Sequence, residues 1–103
     1  MKRLKKHSKK YEAFVYWWDI APNQAKSLKD YDEIEFIKKD TNESCSISTK
    51  ALLKFLTKER QTSRSEGNWG IKVLVGHPDE LAFEPGKGKD DWLFLPVRWK
   101  KVI

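Results

Sequence analysis

The sequence holds a single cysteine, Cys45, and only two histidines among its 103 residues. A lone cysteine cannot form an internal disulfide and lacks the companions that a thiolate metal site requires. Nowhere do eighteen apolar residues follow one another, so no transmembrane helix is expected. Polar residues, rather than the apolar stretch of a secretory signal, follow the charged N-terminus. These absences predict a cytoplasmic protein with no metal, cofactor or membrane contact.

The residue patterns of common catalytic sites are also missing. No serine stands in a glycine-flanked nucleophile motif, and His7 and His77 are far apart in the chain. A magnesium site needs carboxylates that converge from rigid elements. The densest acids fall instead in one predicted loop, at Asp79, Glu80, Glu84, Asp90 and Asp91. We therefore predict that the protein is not an enzyme.

Basic residues are concentrated at the N-terminus. The first ten residues contain no acid and six bases, which are Lys2, Arg3, Lys5, Lys6, Lys9 and Lys10. The whole chain has 21 bases and 15 acids, so the 15 bases outside this stretch are balanced by the acids. A run of like charges is usually disordered and often contacts polyanions. We predict a disordered basic arm over residues 1–10 and a single globular β-rich domain over residues 11–103.

Five segments have the composition of β-strands. Each combines aromatic or β-branched residues with alternating polarity and ends at turn residues. They span residues 12–20, 33–39, 44–48, 69–75 and 92–102. Residues 40–43, Asp-Thr-Asn-Glu, separate the second segment from the third and predict a hairpin. Residues 79–91 are predicted to form a loop.

One helix is predicted between the third and fourth strands. Ser48 is a suitable N-cap, and Leu52, Phe55 and Leu56 recur at helical spacing before Lys58. The predicted class is α+β and β-rich, with five antiparallel strands and one short helix in the order β-β-β-α-β-β. This order resembles that of the five-stranded OB barrel. An open five-stranded antiparallel sheet with the helix on one face is the alternative.

The last predicted strand is apolar on both of its faces. One face carries Leu93, Leu95, Val97 and Trp99, and the other carries Trp92, Phe94, Pro96 and Arg98. In the first strand, Trp17 and Trp18 likewise point in opposite directions. Such a sheet is either covered on both faces or uses one of them for a ligand. We expect Trp18 and Trp99 in the core, which leaves the opposite faces as the candidate binding surface.

These features favour a non-enzymatic nucleic-acid-binding module. Exposed aromatic rings stack on bases, while lysine and arginine contact phosphates. The predicted binding residues are Lys2, Arg3, Lys5, Lys6, Lys9, Lys10, Trp17, Trp92, Phe94, Arg98, Lys100 and Lys101. The alternative is a small protein–protein interaction module, an inhibitor, adaptor or phage-type accessory protein, that docks through its aromatic face. A positive, concave face would favour nucleic acid, and a flat apolar patch bordered by acids would favour a protein partner.

Overall fold

The computed structural model describes residues 2–11, 15–62 and 67–101, which form an α+β structure with two four-stranded sheets. The strands are Arg3–Ser8 (β1), Tyr16–Ile20 (β2), Glu33–Lys38 (β3), Glu43–Ser48 (β4), Trp69–Val73 (β5), Glu80–Phe83 (β6), Leu93–Pro96 (β7) and Lys100–Lys101 (β8). The α-helices are Pro22–Ser27 (α1) and Thr49–Leu53 (α2), and 3-10 turns cover Leu28–Asp30 and Lys58–Arg60. None of the helices in these residues is long and apolar enough to cross a membrane.

The first sheet has the strand order β1-β3-β4-β8. Strands β3 and β4 pair antiparallel, from Glu33 opposite Ser48 to Lys38 opposite Glu43, and this confirms the predicted hairpin. Asn42 in the turn has a φ of 60°, a left-handed conformation that asparagine tolerates better than most residues. The turn chemistry of residues 40–43 therefore determines the register of this pair.

The basic N-terminal segment forms strand β1 at the edge of the first sheet. It pairs in parallel with β3, from Arg3 opposite Glu33 to Ser8 opposite Lys38, so the prediction of a disordered arm is wrong for these residues. Alternation along the strand divides its bases between the two faces of the sheet, which reduces their mutual repulsion. Pairing with β3 also satisfies the backbone polar groups of the segment that face β3. Lysines at a sheet edge oppose further pairing with other chains.

Helix α2 begins at the predicted residue but ends early. The Ser48 hydroxyl accepts a hydrogen bond from the Ala51 amide at 3.1 Å, which confirms the N-cap. Leu52 is fully buried, as predicted. The helix ends at Leu53 rather than Lys58, and Phe55 stacks on Phe83 of the second sheet with a centroid distance of 4.0 Å. A helix this short depends on tertiary contacts. The stacking of Phe55 on Phe83 outweighs the helix propensity that predicted a helix as far as Lys58.

The second sheet has the strand order β2-β5-β6-β7, and all its pairs are antiparallel. Strand β6 lies within residues 79–91, which the sequence predicted to be a loop. The last predicted strand is divided into β7 in this sheet and β8 in the first sheet. The described residues thus form two four-stranded sheets rather than one five-stranded sheet, and they do not close an OB-like barrel. Strand β7 ends at Pro96, which is tolerated at this sheet edge because its position faces away from β6 and needs no amide hydrogen for the ladder.

The core lies between the two sheets and is centred on Trp18. The Trp18 ring packs edge-on against Phe36 at 5.2 Å and stacks with Trp99 at 6.3 Å, both measured between ring centroids. Its indole nitrogen donates a hydrogen bond to the Lys6 carbonyl at 3.1 Å. Trp18 is 2% exposed, and the partly buried Trp99 packs against the same cluster. The prediction of a core position is confirmed for Trp18, whereas Trp99 is only partly buried and packs at the margin of the core.

A buried arginine anchors the glycine-rich segment before β7. The Arg60 guanidinium donates to the carbonyl oxygens of Phe83, Glu84 and Asp91 at 2.9–3.0 Å. It also donates to Asp91 Oδ2 at 3.1 Å. Gly86 lies so close to this turn that an added Cβ would come within 1.7 Å of the Glu59 carbonyl oxygen. The segment from 84 to 91 is therefore held against the 3-10 turn at residues 58–60.

Candidate nucleic-acid interface

Lys6, a predicted phosphate contact, points into the structure. Its ammonium group donates to the Asp19 carbonyl oxygen and to Gln24 Oε1. Burial lowers the pKa of Lys6, and the nearby Asp19 carboxylate opposes this shift. These two contacts hold the middle of β1 against β2 and helix α1. Lys6 is consequently a structural residue of the fold, and we remove it from the candidate binding site.

The other bases of the segment are exposed but do not form one patch. Arg3 and Lys5 lie on the outer face of the first sheet, opposite Glu33 and Glu35 of the neighbouring strand. The Lys9 ammonium lies 5.4 Å from the centroid of the Tyr11 ring. Lys2 and Lys10 are exposed at the two ends of the segment. Pairing as a strand therefore spreads the predicted charge cluster along a sheet edge.

Four predicted basic residues from both ends of the chain converge on one groove. The groove has a volume of about 730 Å³ and runs between β3, β4 and the segment that connects β7 to β8. We call it the basic groove, and its charged lining residues are Arg3, Glu33, Glu35, Arg98, Lys100 and Lys101. Ser44, Cys45, Ser46 and Ile47 form its floor on β4. Cationic side chains outnumber acidic ones here by four to two.

Both acids of the basic groove already have partners. Arg3 donates to Glu33 Oε1 at 2.8 Å, and this hydrogen bond raises the pKa of Arg3. The Ser44 hydroxyl donates to Glu35 Oε2 at 2.6 Å. Lys101 donates to the carbonyl oxygen of Thr41. Because a carbonyl group is neutral, this contact does not compensate the positive charge of Lys101. Arg98, Lys100 and Lys101 thus give the groove a positive side.

Cys45 at the floor of the groove is not poised for nucleophilic chemistry. The side chain is 4% exposed, and burial raises the pKa of its thiol to about 12. A thiol with this pKa remains protonated at neutral pH, whereas the thiolate is the reactive form. The residue is a small, buried residue of strand β4. The groove therefore offers cations and hydroxyl groups rather than an activated nucleophile.

A second groove adjoins the basic groove on the other side of Arg98. It has a volume of about 600 Å³ and is lined by Lys38, Glu43, Pro78, Asp79, Val97, Arg98 and Trp99. The Lys38 ammonium lies 4.0 Å from the centroid of the Trp99 ring and 3.7 Å from Glu43 Oε1. The Trp99 indole nitrogen donates to the Pro78 carbonyl at 2.8 Å. Lys38 and Trp99 were not among the predicted site residues, because alternation assigned Trp99 to the core alone.

The predicted aromatic binding residues lie elsewhere, on the outer face of the second sheet. The Lys72 ammonium lies 5.1 Å from the Trp17 ring centroid and 5.9 Å from that of Trp92, and it pairs with Glu84 at 3.0 Å. Phe94 stacks on His77 with a centroid distance of 4.7 Å. None of Trp17, Trp92 and Phe94 lines the basic groove. The expected continuous aromatic and basic surface is not formed.

The division of the last predicted strand explains this separation. Residues up to Pro96 belong to the second sheet, whereas Lys100 and Lys101 belong to the first. The chain crosses between the sheets at Val97–Trp99, so the alternation of faces does not continue from Phe94 to Lys100. The described residues contain no group of three or more His, Cys, Asp or Glu side chains that could hold a metal ion. Comparison with protein-family models, with curated proteins and with solved structures found no match for this chain.

Proposed function

We propose that this protein is a non-enzymatic module that binds nucleic acid in the basic groove. The observation that supports this proposal is the convergence of Arg3 from the N-terminal strand with Arg98, Lys100 and Lys101 from the C-terminal segment. These residues are far apart in the sequence, and only the fold brings their charges to one concave surface. Arg3 pairs with Glu33, which reduces the repulsion that this carboxylate exerts on a phosphate, and Glu35 accepts a hydrogen bond from Ser44.

The basic groove suits a phosphate backbone because cationic side chains and serine residues line it. Lysine and arginine side chains contact phosphate oxygens, and serine hydroxyls such as that of the exposed Ser46 add hydrogen bonds. Arg98 lines both grooves and is exposed, so it can contact a backbone that passes from one groove to the other.

The proposal changes the role of several predicted residues. Trp17, Trp92 and Phe94 lie outside the groove and are no longer assigned to the nucleic-acid site. Lys2, Lys5, Lys9 and Lys10 supply long-range attraction from the edge of the sheet rather than direct contacts. We retain the predicted cytoplasmic location as part of the proposal, because a lone buried cysteine fits a reducing compartment.

The test measures affinity for single- and double-stranded DNA and RNA by fluorescence anisotropy over a series of salt concentrations. The triple variant Arg98→Ala, Lys100→Ala and Lys101→Ala should bind more weakly. For a single strand, its log–log salt slope should fall by about 2, since each lost phosphate contact contributes about 0.7. The matched control replaces Lys26, Lys54 and Lys58, which are exposed and outside both grooves, by alanine. It removes the same charge and should change the slope much less.

Two outcomes would contradict the proposal. Equal losses in the groove variant and the control variant would show that binding depends only on total charge. Dissociation constants above about 0.1 mM at low salt for every nucleic acid would be no tighter than weak non-specific binding. Phe94→Ala adds a further check, because it lies outside the groove and should leave affinity unchanged. A large loss in that variant would move the site to the second sheet.

A protein–protein module is the second candidate function. The observation that favours it is the exposure of two large apolar residues on β7, Leu93 at 40% and Phe94 at 37%. Aromatic side chains of this kind often supply most of the binding energy of a protein interface. If no nucleic acid binds and the Phe94 surface mediates association, this function replaces the first.

A further inference from the structure

Strand β4 has an open edge in the basic groove. Successive side chains of a strand point to opposite faces, yet four consecutive residues, Ser44 to Ile47, line the groove. The groove therefore runs along the backbone edge of β4 as well as over its face. Pairing with β8 covers this edge only at Glu43 and Ser44, which lie opposite Lys101 and Lys100. In the part of the chain that the structure describes, no strand pairs with the rest of this edge.

The hydrogen bonds of β3 show which backbone groups of β4 lie at the open edge. The Lys39 amide donates to the Ser8 carbonyl of β1 at 2.8 Å, and the Thr49 amide after β4 donates to the Asp32 carbonyl at 3.0 Å. Since strand residues alternate in direction, odd-numbered positions of β3 face β1 and even-numbered positions face β4. Each even-numbered residue of β3 lies opposite an odd-numbered residue of β4. The amide and the carbonyl of Ser46 consequently point away from β3, into the open edge.

The basic groove thus contains hydrogen-bond acceptors as well as cations. One acceptor is the outward-pointing carbonyl of Ser46, an exposed residue. Another is the carboxylate of Glu35, which lies opposite Ser46 on β3, is 7% exposed and accepts from the Ser44 hydroxyl at 2.6 Å. A carboxylate has about four acceptor positions, so one hydroxyl leaves capacity for further donors. A ligand that covers these acceptors without donating to them loses affinity, because it removes their water.

We propose that the occupant of the basic groove is RNA rather than DNA, an inference that rests on the proposed function. The phosphodiester and deoxyribose groups of DNA contain no hydrogen-bond donor. Ribose adds the 2′-hydroxyl, which both donates and accepts. In this arrangement the phosphates contact Arg98 and Lys100, and the 2′-hydroxyls donate to the Glu35 carboxylate and the Ser46 carbonyl. RNA therefore satisfies both the cations and the acceptors of the groove, whereas DNA satisfies only the cations.

An extended acidic peptide is the other ligand that a positive sheet edge could take. Adding a peptide strand requires a row of backbone groups along the edge. On β4, Ser44 already lies opposite Lys100, and Ser48 is the N-cap of α2. Among the outward-facing positions of β4, this leaves Ser46, and one residue is too short for an added strand. The edge is better suited to single hydrogen bonds with a nucleic-acid backbone.

The test compares three single-stranded oligouridines that differ only in the sugar, which is ribose, deoxyribose or 2′-O-methyl ribose. Oligonucleotides of about 12 residues are within the usual site size of such proteins. Fluorescence anisotropy with the wild type should show at least about tenfold tighter binding of the ribose form than of the other two. The 2′-O-methyl form keeps the A-type geometry of RNA but lacks the donor, so it separates hydrogen bonding from shape.

Glu35→Gln tests the assigned acceptor. It replaces a charged acceptor by a neutral one, and hydrogen bonds to charged groups are stronger, so the preference for the ribose form should fall at least about threefold. Glu59→Gln is the matched control, because Glu59 is exposed and lies outside both grooves. It removes the same charge and should keep the full preference. A Glu35→Gln variant that folds and keeps the full preference would contradict the role of Glu35.

The outcomes separate this inference from the proposed function. Equal affinity for the ribose and deoxyribose forms would overturn the inference and leave the proposed function intact. Equal affinity for the ribose and 2′-O-methyl forms would do the same, as would displacement of bound RNA by oligoglutamate at the same concentration of negative charge. If none of the oligonucleotides binds, the proposed function itself fails. The comparison of sugars uses the wild type, so it is decisive even if Glu35→Gln does not fold.

Discussion

The ammonium group of Lys38 lies 4.0 Å from the centroid of the Trp99 ring, so a lysine of β3 covers the segment that connects the two sheets. Lys38 is 8% exposed, and its other close contacts are Glu43 at 3.7 Å and the Tyr16 ring at 5.1 Å. A desolvated cation over an aromatic ring contributes about 2 kcal/mol. This contact links the C-terminal crossing, and hence the basic groove, to the hairpin.

Replacing Lys38 should therefore destabilise the fold. We expect Lys38→Ala to lower the free energy of unfolding by about 2 kcal/mol, through loss of the cation–π contact and of the packing of its aliphatic stem. Urea denaturation followed by tryptophan fluorescence measures the effect. The neighbouring Lys39 is exposed, so Lys39→Ala should change stability by no more than about 0.5 kcal/mol. Equal midpoints for the two variants would contradict the assigned contact.

The N-terminal strand should be protected and required for stability. Because β1 pairs with β3 along its whole length, amides of Arg3–Ser8 that face β3 should exchange slowly with deuterium. Deleting residues 2–8 should lower the urea midpoint, since it removes that pairing and exposes the edge of β3. Hydrogen exchange detected by NMR gives the first result. Exchange as fast as in an unfolded peptide throughout β1 would support a disordered arm instead.

Arg60 should contribute to stability mainly through its hydrogen bonds to carbonyl groups. We expect Arg60→Met to cost about 3 kcal/mol, since it leaves the buried carbonyls of Phe83 and Glu84 without their donor. Asp91 is 59% exposed in its side chain, so the ion pair itself contributes little. Chemical denaturation provides the measurement. Lys58→Met, in the same 3-10 turn but exposed, is the control and should be nearly neutral.

Stability should decrease in alkaline solution because of Cys45. Burial raises the pKa of its thiol from 9.0 to about 12 in the folded protein. Above pH 9 the unfolded chain loses this proton while the folded chain retains it, so unfolding becomes easier as the pH rises toward 12. At pH 10.5 this effect amounts to about 2 kcal/mol.

Comparison with Cys45→Ala separates this effect from other titrations. Burial also raises the pKa of Tyr16 to about 12, and the variant retains that contribution. Urea midpoints at pH 8 and pH 10.5 should therefore fall further in the wild type than in Cys45→Ala. Parallel losses in the two proteins would show that the thiol does not change its pKa on folding.

Local features of the structure could be read from the sequence. Alternation and turn residues predicted the hairpin of β3 and β4, and the Ser48 hydroxyl and Leu52 marked the start of α2. The core position of Trp18 also followed from alternation. These features depend on residues close in the chain, so propensity and periodicity are sufficient to indicate them.

The candidate site could be predicted only in part. Composition identified Arg3, Arg98, Lys100 and Lys101 as bases of interest, but it grouped them with Trp17 and Phe94, which lie on the other sheet. For Phe94, the error arose at the crossing after Pro96. The prediction treated residues 92–102 as one strand, so it placed Phe94 and Lys100 in the same sheet, whereas they belong to different sheets.

The sequence by itself determined the α+β character, the hairpin, the capped helix and the concentration of bases at both ends. Only the tertiary structure decided that the N-terminal bases form a strand, because that strand pairs with residues about 30 positions away. The same applies to the basic groove, which requires β1, β4 and β8 to lie in one sheet. Such pairings depend on the closure of long loops and on burial summed over the whole chain, which no local pattern records.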